Sequence, residues 1–203
     1  MILGINAVQT PIDYGVYSDQ YASRCSWDGF GNIEQLPEKI KTFLHSQESL
    51  TGLLTILGPG NYTGIRLSLT TLKMVSTLYD IPLFGVSLFE AYAVINPKNT
   101  LMILSSPSRK GWMNVQIFQS NSIGVHSISS ILQIKSDRID EWLNQFEGAY
   151  FWGHFGLLDS SIISTPSALK LDLLSVLNHF QNTILTSDRT EPLTPIYSYP
   201  AVS

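Results

Sequence analysis

The chain reads Gly58-Pro59-Gly60-Asn61-Tyr62-Thr63-Gly64-Ile65-Arg66 between an apolar run at residues 53–57 and a segment with helical patterning. Three glycines and a proline at one strand-to-helix turn permit positive φ angles and close approach of the backbone. A helix start also carries unpaired N–H groups and partial positive charge. This glycine turn can therefore hold a phosphate or carboxylate, or let another polypeptide come near.

Two phosphate-binding motifs are excluded at the glycine turn. A P-loop needs Gly-Lys followed by Ser or Thr, whereas Gly64 is followed by Ile65 and Arg66. The glycine spacing also differs from the dinucleotide fingerprint G-x-G-x-x-G. A plain tight turn, with Thr63 as the N-cap of the next helix, is an equally good interpretation of the turn taken alone.

Composition bears on three questions: whether the chain binds nucleic acid alone, whether it contains a disulfide, and where in the cell it is found. The 203 residues are 44% hydrophobic and 14% charged, with a net charge of −4 and no basic run, so strong binding of nucleic acid by this chain alone is not expected. The single cysteine, Cys25, excludes an intramolecular disulfide and favours a reducing compartment. Because no signal peptide or membrane-spanning run is evident, we expect a cytoplasmic protein.

Strand and helix patterns repeat along the chain. The first half predicts strands at 1–8, 12–18, 21–27, 49–57 and 82–86, with helices at 33–45, 64–80 and 88–95. After a break at 96–99, the second half predicts strands at 101–106, 112–119, 122–127, 149–152 and 193–199. Its helices are predicted at 137–146, capped by Asp137, and at 167–181.

Each half thus contains three strands followed by helix, strand and helix. This order predicts an α/β protein of the actin-like ATPase and sugar kinase superfamily. Its two ribonuclease-H-like lobes would each hold a mixed sheet flanked by helices. We expect an N-terminal lobe at 1–98 and a smaller C-terminal lobe at 99–203, with the last helix or the tail able to pack back on the N-terminal lobe.

The glycine turn resembles the G-P-G-S-F-T-G-[LI]-R-[IL] signature of the TsaB (YeaZ) family, with Asn61 and Tyr62 in place of the usual Ser and Phe. Lys73 matches the lysine of the family's A-x-A-K-G stretch, and residues 81–91 resemble its I-P-L-x-G-V-S-[ST]-L-E-A. The similarity spans residues 53–93, and residues 192–197 resemble the family's ending more weakly.

The resemblance implies a role in forming threonylcarbamoyladenosine in tRNA. In that family this subunit is not itself the transferase; it pairs with its metal- and nucleotide-binding paralogue TsaD, and the small ATPase TsaE joins them. For this chain we expect tRNA contact only through the complex and no cofactor bound alone. ATP or ADP is possible at the interface with a partner, and so is a homodimer when the partner is missing.

Several positions depart from that family. Asn6 ends the first predicted strand where TsaB chains commonly have Asp-Thr-Ser, and Ser106 or Pro107 stands where the second half commonly has Asp. An amide or hydroxyl cannot give a hard metal ion a charged oxygen. The spacing of the four histidines does not match a metal-binding motif. His154 is the candidate among them, and a polar ring at a strand end is its alternative interpretation.

The helix after the glycine turn carries two apolar faces at 100° per residue. The wider face is expected to pack on its own sheet and contains Ile65, Leu69, Leu72, Val75 and Tyr79. The opposite face is the predicted partner surface, together with side chains of the preceding helix: Leu67, Thr71, Met74, Leu78, Thr42 and Phe43. Alternatively, Leu67 and Leu78 contact the second half of the same chain.

The glycine turn would help the partner approach this helix, and its candidate residues are Gly58, Pro59, Gly60, Thr63, Gly64 and Arg66. In that interpretation Arg66 contacts a partner's carboxylate or a nucleotide phosphate. In the alternative interpretation, Arg66 is an ordinary surface charge that contacts neither a partner nor a nucleotide.

Two enzymatic alternatives remain. A small kinase or ATPase acting alone would need a metal-binding carboxylate, for which Asp13, Asp19 and Asp159 are loose candidates. A peptidase would need a zinc motif or a triad, and neither is apparent.

Overall fold

A computed structural model of the chain describes residues 1–28, 33–44, 49–153, 171–186 and 193–197. They form two compact units. The first comprises Met1–Leu88 together with Asp172–Tyr197, and the second comprises the described residues within Phe89–Leu171. The first unit thus ends ten residues before the expected lobe boundary at 98, and the C-terminal helix belongs to it.

The first unit is built on a five-stranded mixed sheet. Its strands are β1 (Ile2–Asn6), β2 (Ile12–Ser18), β3 (Tyr21–Trp27), β4 (Gly52–Ile56) and β5 (Leu83–Val86), in the order β3-β2-β1-β4-β5. The first three strands are antiparallel, whereas β4 runs parallel to β1 and β5 parallel to β4. This is the ribonuclease-H-like arrangement.

The helices are α1 (Leu36–Leu44), α2 (Tyr62–Tyr79), α3 (Leu88–Ile95), α4 (Ile139–Leu143) and α5 (Leu173–Thr186). Leu3 and Ile5 of β1 pack in one cluster with side chains of α1 and α2. Gly4 lies against Leu177 of α5 instead. Because successive side chains of a strand point to opposite faces, the sheet carries helices on both faces.

The second unit contains β6 (Leu101–Pro107), β7 (Trp112–Asn121), β8 (Gly124–Ser127), β9 (Leu132–Lys135) and β10 (Tyr150–Gly153). Their order is β10-β6-β7-β8, and β9 also pairs with β7. As in the first unit, the antiparallel strands, here β6 and β7, precede the parallel strand in the chain. The parallel strand is β10, which runs parallel to β6. The fold is therefore the actin-like class, with two mixed sheets flanked by helices, as predicted.

Some elements differ from the sequence predictions. Asp137 lies inside a 3₁₀ turn at Ser136–Arg138 and does not cap α4. The last helix runs to Thr186, and residues 167–170 of its predicted span lie outside the described residues. Residues 193–197 form no strand, and β9 was not predicted, because four residues carry too little pattern to be recognised.

Substitution of Leu177 measures how much the packing of α5 contributes to the stability of the first unit. Its side chain is fully buried against Gly4. We expect Leu177→Ala to lower the free energy of unfolding by roughly 2–5 kcal/mol, through lost burial and the cavity left behind. Leu185→Ala, on the same helix but half exposed, is the matched control and should cost clearly less. Equal losses in urea unfolding would contradict this packing.

Candidate functional site: the glycine turn and the outer face of α2

Asn61, not Thr63, caps the start of α2. Its side-chain Oδ1 accepts a hydrogen bond from the Gly64 N–H at 3.0 Å, and its carbonyl accepts one from Ile65 at 2.9 Å. The prediction of Thr63 as N-cap was therefore wrong, since the helix begins one residue before it, at Tyr62. The cap satisfies an N–H group that a bound anion would otherwise use.

The glycines bring the turn against the chain's own backbone. A Cβ atom at Gly60 would lie against the carbonyl oxygen of Val8, and one at Gly64 against that of Ala7. The Asn61 N–H also donates to the Val8 carbonyl at 2.9 Å. The close approach that glycine permits is thus made to the exit of β1, within the same chain.

The C-terminal segment closes the other side of the turn. Gly58 has φ +111°, and a Cβ atom there would lie against the carbonyl oxygen of Ile196. The Ile196 N–H donates to Leu57 at 2.7 Å. Further along, Lys73 Nζ donates to the Leu193 carbonyl at 3.4 Å. The chain itself therefore packs against Gly58 and Pro59, whereas residues 60–63 remain exposed.

Arg66 is engaged with Tyr62. Its Nη1 donates to the Tyr62 hydroxyl at 2.8 Å, and its guanidinium lies 5.1 Å from the ring centroid. The Tyr197 ring also lies next to the Tyr62 ring, at a centroid distance of 4.7 Å. Arg66, Tyr62 and Tyr197 thus form a cation–aromatic cluster at the edge of α2, which sequence reasoning missed because residues 62 and 197 are far apart in the chain.

The outer face of α2 exposes much of the predicted partner surface. Met74 is 54% exposed and Leu78 is 73% exposed, whereas Leu67 is half-buried against the first unit's core. Thr71 is only 4% exposed, so its assignment to the surface is corrected. It lies next to the inward-facing stripe of the helix. Tyr79, placed on the inward face by periodicity, is exposed because it is the last residue of the helix.

Helix α1 lies beside α2 and completes this face. Thr42 is exposed, and its hydroxyl donates to the Glu38 carbonyl at 2.9 Å. Phe43 is half-buried, with its ring edge-on to Tyr14 at 5.4 Å. Burial, and secondly the neighbouring Cys25 thiol, raises the pKa of Tyr14.

Two open clefts flank the outer face. One of about 420 Å³ lies between α2 and the 3₁₀ turn at Ile33–Gln35, and its lining includes Glu34, Arg66 and Thr70. The other, of about 670 Å³, lies beside α1 and includes Tyr14, Lys39 and Phe43. Glu34 was not among the predicted site residues, because nothing in its local sequence distinguishes it from a solvated surface acid.

The strand ends do not fit the metal–nucleotide ligand that an actin-like fold implies. Asn6 at the end of β1 donates to Gln9 Oε1 at 3.2 Å and accepts from the Val8 N–H at 3.4 Å. Ser105 and Ser106, near the end of β6, are buried hydroxyls. Neither strand offers the metal a carboxylate at this position.

The carboxylates considered above as possible metal ligands lie in different environments. Asp13 is buried on β2, where it accepts from Ser26 and forms an ion pair with Arg24 at 2.9 Å. Asp19 is exposed in the turn between β2 and β3. Asp159 and His154 lie outside the described residues.

Within the described ranges, no three His, Cys, Asp or Glu side chains are grouped to hold a metal ion. In the same ranges, no helix is both long enough and apolar enough to span a membrane.

Two solved structures share this fold over their whole length, although no protein-family model matches the chain. One is an uncharacterized protein with similarity to peptidase YEAZ from Pseudomonas aeruginosa, with a TM-score of 0.72 and 13% identity, covering 98% of this chain and 99% of that one. The other is YeaZ from Pseudomonas aeruginosa, with a TM-score of 0.68 and 13% identity, covering 97% and 98%. The chain therefore has a YeaZ-like fold.

The effect of Gly64→Ala on stability shows whether helix propensity or packing dominates at this position. Propensity alone would make alanine about 1 kcal/mol more favourable in a helix. Because a Cβ atom would meet the Ala7 carbonyl, we expect the variant to be destabilised instead, by roughly 1–3 kcal/mol in urea unfolding. Thr70→Ala, exposed on the same helix, meets no such contact and should stabilise the protein slightly, by up to about 0.7 kcal/mol from helix propensity. A stabilised Gly64→Ala would show that the turn is looser than described.

Proposed function

We propose that this chain is a non-catalytic partner subunit of the complex that forms threonylcarbamoyladenosine in tRNA, and that it binds and supports the TsaD transferase. The observation that carries the proposal is the exposed apolar edge of α2, at Met74 and Leu78, on a YeaZ-like fold whose glycine turn resembles the TsaB signature. Large apolar side chains exposed side by side favour a protein partner over water.

Helix packing supports this surface as the interface. Helices α1 and α2 lie side by side, so a partner contributing two helices would complete a four-helix arrangement. Burial of Met74 and Leu78 would contribute roughly 1.5–3 kcal/mol each before the cost of association. A second copy of the chain would use the same face when TsaD is absent.

The absence of a fitting strand-end carboxylate supports a role without phosphoryl-transfer chemistry in this chain. Any ATP or ADP would be bound at the joint with the partner, mostly by the partner's groups. In this proposal TsaE joins the assembled pair, tRNA is bound through the complex, and the protein works in the cytoplasm.

Met74→Glu tests the interface. A carboxylate at a buried contact loses hydration without gaining a partner, so we expect the variant to lose copurification with TsaD. It should remain folded, because residue 74 already faces solvent. Ile123→Glu, at an exposed apolar residue in the second unit, is the matched control and should copurify like the wild type.

Copurification of Met74→Glu at wild-type yield would remove this face from the proposal. A separate measurement addresses the kinase alternative, since turnover of ATP by the purified chain alone would support an enzyme acting without TsaD.

A further inference from the structure

The second unit has an open cleft of about 540 Å³ that none of the sites above includes. The start of β7, the strand β9 and the helix α4 form its walls. Trp112, Lys135, Arg138 and Trp142 line it. Two indole rings and two cations at one concave surface are an uncommon combination in a chain with so few charged residues.

The pairing of β7 with β9 creates this combination. Trp112 and Lys135 are direct cross-strand partners, and the Lys135 ammonium lies 5.7 Å from the Trp112 ring centroid. The Arg109 guanidinium lies 4.8 Å from the same centroid. The Trp142 ring is supported by Phe146 at a centroid distance of 4.8 Å. Both tryptophans remain partly exposed.

The cations at the cleft are not held in ion pairs among the described residues. Across the described ranges, no carboxylate forms an ion pair with Arg109, Lys135 or Arg138. Glu141 is the acidic side chain of the lining. In the lining, the two cations Lys135 and Arg138 exceed the one carboxylate, Glu141, by a single charge. Asp137 and Asp140 adjoin them in the sequence.

We infer that this cleft binds an unpaired stretch of nucleic acid, weakly in the isolated chain because that chain has a net charge of −4. Aromatic side chains provide a surface on which unpaired bases stack, and neighbouring cations contact the phosphates. Here the partly exposed Trp142 supplies a stacking surface, and Trp112 supplies a second one when a base takes the place of Lys135 over its ring. Lys135 and Arg138 then supply the phosphate contacts. A duplex binds less well, because its bases are already stacked on each other. The inference is independent of the α2 face, since all these residues belong to the second unit.

The test uses the full-length chain and a fluorescein-labelled oligouridylate, with binding followed by anisotropy and by quenching of tryptophan fluorescence. Lys135→Glu should weaken binding about tenfold or more, while Glu141→Gln should strengthen it by removing repulsion of the phosphates. Lys39→Glu is the matched control, because Lys39 lies 4.7 Å from the Trp27 ring in the first unit. It should leave the affinity unchanged.

Trp112→Ala tests stacking, and it should weaken binding about tenfold. Because Trp112 is partly buried, thermal unfolding of this variant is measured in parallel; the exposed Lys135 and Glu141 variants decide the matter if it does not fold. The inference is overturned if the oligouridylate does not bind, or if Lys135→Glu and Lys39→Glu behave alike. It is also overturned if a duplex or a polyglutamate peptide competes as well as the single strand, since the cleft would then respond to charge alone.

Discussion

The arrangement of the first unit depends on the close backbone contact between the glycine turn and the segments on either side of it. Gly60 and Gly64 lie against the exit of β1, and Gly58 lies against the C-terminal segment. A side chain at Gly60 or Gly64 would push the start of α2 away from the exit of β1, and one at Gly58 would displace the C-terminal segment. The glycine turn therefore fixes the depth at which α2 lies, which decides the residues that reach the core and those that remain outside.

The same contact occupies part of the surface around the start of α2. The chain's own carbonyl groups take the space beside the helix start, and Asn61 satisfies the Gly64 N–H. At the neighbouring strand end, Asn6 is hydrogen-bonded within its own loop. The turn is thus packed against the chain's own backbone on its inner side, whereas the outer surface of α2 remains open at Met74 and Leu78.

The predictions from sequence were best where local chemistry decides structure. The bounds of β2 and β3 match their predicted spans, because alternating residues meet a short polar turn between them. Helix α2 was placed within two residues at its start, and Met74 and Leu78 were placed on its outer side. Thr71 was misplaced, because periodicity gives a direction around the helix but not the width of the sector that the sheet and α1 cover.

The sequence by itself determined the order of strands and helices, the glycine turn and the two-sided character of α2, since each depends on residues close together in the chain. Only the tertiary structure decided what the glycines contact, which carboxylates are already paired, and how Tyr62 meets Tyr197 or Trp112 meets Lys135. These contacts join segments that are distant in sequence, and their geometry depends on strand register and helix depth, which local pattern does not specify.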